Sequence, residues 1–131
     1  MHKYRDGIAK AYTNNLYVIP PDGAPQGVGY YERNTANSSF TNNTIVTWSP
    51  EHTFVYNWGV PQPTGAGAFV IDNNRYYTPG APSLPFGAGG DGNITSLNDW
   101  QQACQCDAHA TISADIDLNA TLAMARQLLG M

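Results

Sequence analysis

Three asparagine pairs, Asn14-Asn15, Asn42-Asn43 and Asn73-Asn74, recur at spacings of 28 and 31 residues. Each sits in the same setting: "AYTNNLYV", "SFTNNTIV" and "VIDNNRYY". A period of this length marks a stacked repeat. Inside each period the apolar runs are short and rich in β-formers, "LYVI", "GVGYYE" and "SSF" in the first and "TIVTW", "TFVYNW" and "GAFVI" in the second, so three strands per period follow. Between them lie "PPDGAPQ", "SPEH" and "VPQPTGAG", the chemistry of turns. Two helices per period are excluded by Pro20, Pro21, Pro50, Pro61 and Pro63.

The asparagines have a physical role in such a repeat. A sharp turn between strands requires a left-handed residue, and Asn tolerates that conformation better than other non-glycine residues. Stacked turns place the asparagines above one another, where each amide both donates and accepts along the stack. The competing expectation is three ordinary hairpin loops. Hairpins favour Asn-Gly, which does not occur here.

Residues 11 to 77 resemble part of a right-handed parallel β-helix of the pectate-lyase-like kind found in polysaccharide lyases and glycoside hydrolases. The stretch "SLNDWQQACQCDAHATISAD" at 96 to 115 is similar to the closing segment of bacterial carbohydrate enzymes of that architecture, with matches at Ser96, Leu97, Trp100, Gln101, Asp107 and Asp115. It departs from them at Cys104 or Cys106, at Ala110 and at Asp115-Ile116. The expected fold is therefore all-β: a right-handed parallel β-helix of about three coils over 11–95, closed by a cap over 96–131 in a single domain. Ser96 and Asp99 form a capping-box-like helix start, and Trp100 is expected to plug the apolar stack. Leu118, Leu122, Ala125 and Leu129 fall at helical spacing in a C-terminal amphipathic helix read as a lid. The short, polar "MHKYRDGIAKA" offers no comparable cap at the other end, so upstream coils of a longer chain are expected to stack on the first one.

Composition narrows the partners. With 6 Lys+Arg against 10 Asp+Glu the chain has no basic stripe for a phosphate backbone, so nucleic acid is excluded. The opening "MHKYRDGIAKAY" lacks the apolar run of a signal peptide or membrane span. Cys104 and Cys106 stand one residue apart with no second Cys/His cluster, and free thiols are expected, with no metal and no cofactor. "GAGGDG" at 87 to 92 does not open the helix of a βαβ unit and reads as a loop. Asp107 and His109 in "DAH" could supply two metal ligands, but a structural hydrogen bond at Asp107 is the stronger expectation.

The resemblance implies a polysaccharide or oligosaccharide ligand and an extracellular or cell-surface setting for the parent protein, either a hydrolase or lyase or a non-catalytic adhesin, tail-spike-like or structural module. No complete acid/base pair is evident in the sequence, so catalytic residues stay unassigned and the isolated segment is expected to be inactive. For sugar binding, Arg33, Trp48, His52 and Trp58 are the candidates. Aromatic faces would hold a sugar ring, Arg33 would pair a uronate and His52 would exchange a proton near neutral pH.

Overall fold

The computed structural model describes residues 2–3, 9–21, 29–31, 37–48, 55–57, 70–79, 86–88 and 91–131. In chain order the strands are β1 (His2–Lys3), β2 (Ala11–Thr13), β3 (Leu16–Ile19), β4 (Gly29–Tyr31), β5 (Ser39–Thr41), β6 (Thr44–Thr47), β7 (Val55–Asn57), β8 (Val70–Asp72), β9 (Arg75–Tyr77), β10 (Phe86–Ala88), β11 (Asp91–Ile94) and β12 (Thr111–Ser113). The helices are α1 (Leu97–Cys104), between β11 and β12, and α2 (Leu118–Leu128), after β12.

The strands form three sheets, ordered β2-β5-β8, β12-β9-β6-β3 and β1-β4-β7-β10-β11. The first two are wholly parallel. Tyr12 lies beside Phe40 and Phe40 beside Ile71, while Tyr17, Ile45, Tyr76 and Ile112 form a second row. Each period of the sequence thus contributes one tier to these sheets. Antiparallel hairpins through 14–15 and 42–43 are ruled out by this register.

The asparagines sit at the corners between the two parallel sheets. Asn14, Asn42 and Asn73 all adopt left-handed backbone, with φ of 59°, 55° and 57°. The second asparagine of each pair turns inward and bonds along the stack. The Asn15 backbone N–H and Nδ2 both donate to Asn43 Oδ1, at 3.0 and 3.1 Å. Asn43 repeats the pattern to Asn74 Oδ1, at 3.0 and 3.2 Å. Asn74 Nδ2 donates to Asp107 Oδ1 at 3.1 Å. The stacking expected from the repeat is therefore present, and it ends on a carboxylate.

The fold class is corrected. The chain is not an all-β, right-handed parallel β-helix: strand and helix alternate through β11, α1, β12 and α2, β11 runs antiparallel to β10, and the described residues combine parallel sheets with two α-helices in a mixed arrangement of the α/β kind. The physical reason lies in the last third of the sequence, where caps and helical spacing replace the strand pattern. Ser96 accepts from the Asp99 backbone N–H at 3.1 Å, and its hydroxyl donates to the Asp99 carboxylate at 2.7 Å. Asp117 caps α2 by accepting from Ala120 N–H at 2.7 Å.

The core is continuous from tier to tier. Phe40, Ile45, Ile71, Tyr76, Phe86, Trp100 and Cys104 are buried in one cluster with Ile19. Trp100 is wholly buried, as expected, and stacks on Phe86 with centroids 5.4 Å apart; Phe86 meets Tyr76 edge-on at 5.0 Å.

Two local expectations fail. Cys104 and Cys106 form a disulfide rather than free thiols. Gln105, the C-cap of α1, is left-handed at φ 50°, which folds the chain back and brings the flanking Cα atoms within 5.1 Å, inside the disulfide range. The leucine stripe of α2 does not seal the core either. Leu118, Leu122 and Leu129 are exposed, and the helix instead turns Thr121 inward, with Met124 and Ala125 half-buried.

Candidate functional site

Along the row Leu16, Thr44, Arg75 and Thr111, residues of successive tiers lie in register on the strands that leave the asparagine corner. Their neighbours Tyr17, Ile45 and Tyr76 fill the interior, so strand alternation turns the Arg75 row outward. α2 comes back beside this row. Between them lies a groove of about 530 Å3 lined by Asn14, Asn15, Leu16, Asn42, Thr44 and Arg75 from the tiers and by Met124, Gln127 and Leu128 from α2. A volume of this size falls within the roughly 300–1,000 Å3 typical of small-molecule clefts.

The described lining is neutral-polar with one cation. Asn14, Asn15, Asn42 and Gln127 supply amides, Thr44 a hydroxyl and Arg75 an exposed guanidinium; Leu16, Met124 and Leu128 supply apolar surface. Among the described lining residues none is a carboxylic acid, a histidine or a cysteine. These amides, the hydroxyl and the guanidinium are equipped to bind and orient a polar ligand.

Two clusters of titratable side chains lie apart from the described groove lining. On the far side of the corner, His109 donates its backbone N–H to Asp72 Oδ1 at 2.9 Å, and its Nδ1 lies 2.8 Å from Asp72 Oδ2. Partial burial pushes the Asp72 carboxyl up, but the His109 side-chain and backbone bonds outweigh it and hold Asp72 below the usual carboxylate range. The bond to Asp72 and its charge raise His109 above the ordinary imidazole value.

Asp107 is a third setting. Its carboxylate is buried and accepts from Tyr76 Oη, from Trp100 Nε1 at 3.2 Å and from Asn74 Nδ2, while Gln101 Nε2 donates to its backbone carbonyl at 2.8 Å. Burial raises its carboxyl above the ordinary range, against the pull of those bonds. Burial, followed by the neighbouring Asp107 charge, drives the Tyr76 hydroxyl well above its ordinary value. The structural role expected for Asp107 is borne out by these bonds. Among the described residues no group of three or more His, Cys, Asp and Glu could hold a metal.

Of the residues singled out from sequence, Arg33, His52 and Trp58 lie outside the described residues. Trp48 follows β6 half-buried, donates its backbone N–H to the Ile19 carbonyl at 2.9 Å, and does not line the groove. Arg75 was not singled out. Its only sequence signal is that "NNR" puts a cation where the other two copies carry Leu16 and Thr44. No protein family, no curated protein and no solved structure matches this chain.

Proposed function

We propose that this chain is a non-catalytic glycan-binding module and that the groove between the Arg75 row and α2 holds a short oligosaccharide segment. The observation that carries this reading is the groove's described lining: side-chain amides and a hydroxyl beside Leu16, Met124 and Leu128, with Arg75 as its one described cation and no carboxylate among the described residues. Sugar rings present hydroxyls around their edges and C–H surfaces on their faces, which amides and apolar side chains match respectively. A guanidinium pairs a carboxylate in a bidentate fork, so acidic sugars should bind more tightly than neutral ones. Among the described lining residues there is no acid/base pair of the kind that hydrolysis or elimination needs at the sugar, and the reading is accordingly one of binding. The Cys104–Cys106 disulfide supports a setting outside the reducing cytosol.

The test is titration of the labelled chain with neutral and uronate-containing oligosaccharides, followed by amide shifts. Expected shifts map to Asn14, Asn42, Thr44, Arg75 and Gln127, and Arg75→Gln abolishes the preference for acidic sugars. Absence of shifts at millimolar ligand, or shifts confined to the Asp72–His109 side, overturns the reading.

A further inference from the structure

The asparagine ladder has a direction, and among the described residues only one of its ends is closed. Each inward asparagine gives its backbone N–H and Nδ2 to the Oδ1 of the next tier, and the last receiver, Asp107, is a carboxylate with no amide to pass on. At the other end stands Asn15. Its Nδ2 is engaged with Asn43 Oδ1, while its own Oδ1 occupies the position at which Asn43 and Asn74 each receive two donors.

The backbone repeats this asymmetry. Tier two offers tier one the N–H groups of Ser39 and Thr44, which donate to Lys10 and Asn15 carbonyls at 2.8 Å, and the carbonyl of Thr41, which accepts from Asn14 N–H at 3.2 Å. By register the matching groups of tier one are the N–H of Ala11, the N–H of Leu16 and the carbonyl of Thr13. These belong to β2 and β3, edge strands among the described residues. Burial agrees: Asn43 and Asn74 are fully buried but Asn15 is half-exposed, and Val46 is fully buried while its register partner Val18 is 47% exposed. In the third sheet β1 already pairs with β4 on this side, so among the described residues the position before tier one is filled in one sheet and open in two.

We propose that the β2/β3 edge is a docking surface for a polypeptide segment of the strand–Asn-Asn–strand kind, added in parallel register. The surface that tier one turns outward has the same donors and acceptors, in the same order, as the surface of tier two on which tier one itself sits. Its occupant must therefore bring a backbone N–H and a side-chain NH2 to Asn15 Oδ1, a carbonyl to each of Ala11 and Leu16, and an N–H to Thr13. A second copy of this chain does not meet the requirement. Stacked head to tail it would present Asp107, which has no side-chain NH2; stacked head to head it would set Asn15 Oδ1 against Asn15 Oδ1, acceptor against acceptor.

The probe is a synthetic peptide of residues 10–19, KAYTNNLYVI, added to the intact chain while backbone amide exchange is followed. Saturable slowing of exchange at Ala11 and Leu16 is expected. A peptide carrying Asn15→Leu should bind about tenfold more weakly or worse, since each buried donor lost costs on the order of one factor of ten. Using the variant peptide leaves the folded chain untouched, so misfolding cannot account for the loss. Equal binding of both peptides, protection elsewhere than β2 and β3, or protection of this edge by raising the chain's own concentration without peptide, each overturns the proposal.

Discussion

At the scale of single residues, two polar contacts of opposite exposure govern what titration and mutation should show. Asp72 and His109 meet at the surface, so the pair is better read through its titration than as a stability term. A carboxyl held below its usual 3.8 contributes above that value and loses its contribution as pH falls through the lowered pKa. A histidine raised above 6.5 contributes fully below that value and loses its contribution as pH rises through the raised pKa. The pair is thus complete from about pH 4 to about pH 6.5. NMR titration should place the His109 midpoint above 6.5, and Asp72→Asn should bring it back toward that value; an unchanged midpoint would show that the carboxylate does not hold the ring. Trp100 is the buried counterpart. Trp100→Ala removes a wholly buried ring stacked on Phe86 and should cost about 3–5 kcal/mol in chemical denaturation. Trp100→Phe keeps most of the packing but strips Asp107 of one donor, and should cost about 1–3 kcal/mol.

Elements show where sequence reasoning reached and where it stopped. Parallel strands and inward asparagines were legible because register copies the sequence period directly, and one slipped residue would turn every asparagine outward. The helix starts at Ser96 and Leu118 were legible for a similar reason, since caps and spacing are local. The face that α2 buries was not. A leucine stripe predicts burial only if nothing competes, and Thr121 takes the inward place because its hydroxyl donates to the Asp117 carbonyl at 3.0 Å and so enters the interior already bonded. Nor was the disulfide legible, since it depends on a left-handed Gln105 that residue type does not signal. The candidate site was least legible of all, because one wall of the groove is a helix far downstream of the Arg75 row. Leu122→Ser on the exposed stripe should accordingly change stability by less than about 0.5 kcal/mol, whereas Asp117→Ala removes the α2 cap and should cost about 0.5–2 kcal/mol, both readable from denaturant midpoints. If Leu122→Ser proves the more costly, the stripe is covered in solution.

For the whole molecule, the ladder adds a column of side-chain bonds to tiers that the parallel sheets and the core already join. Its members are not equivalent, because burial and bond number differ along it. Asn43 lies in the middle and is fully buried: its Oδ1 accepts from Asn15 twice, and its Nδ2 donates to the Tyr12 carbonyl and to Asn74 Oδ1. Asn74 is also buried and serves Asn43, the Phe40 carbonyl and Asp107. Asn15 is half-exposed, so water replaces what its removal leaves open. Each polar group stranded in the interior costs about 1–3 kcal/mol, whereas a group that water reaches costs much less. Asn43→Ala strands the Asn15 backbone N–H, the Tyr12 carbonyl and part of the Asn74 acceptor at once, and should therefore lose about 3 kcal/mol or more. Asn15→Ala should lose about 1 kcal/mol, with Asn74→Ala close to Asn43→Ala. Urea unfolding at constant slope measures this order, since an unchanged slope means that the unfolded state and the extent of unfolding are the same. Equal losses at Asn15 and Asn43 would mean that the amides act independently at their own turns rather than as one buried column, and the polarity that leaves the β2/β3 edge open would lose its energetic basis.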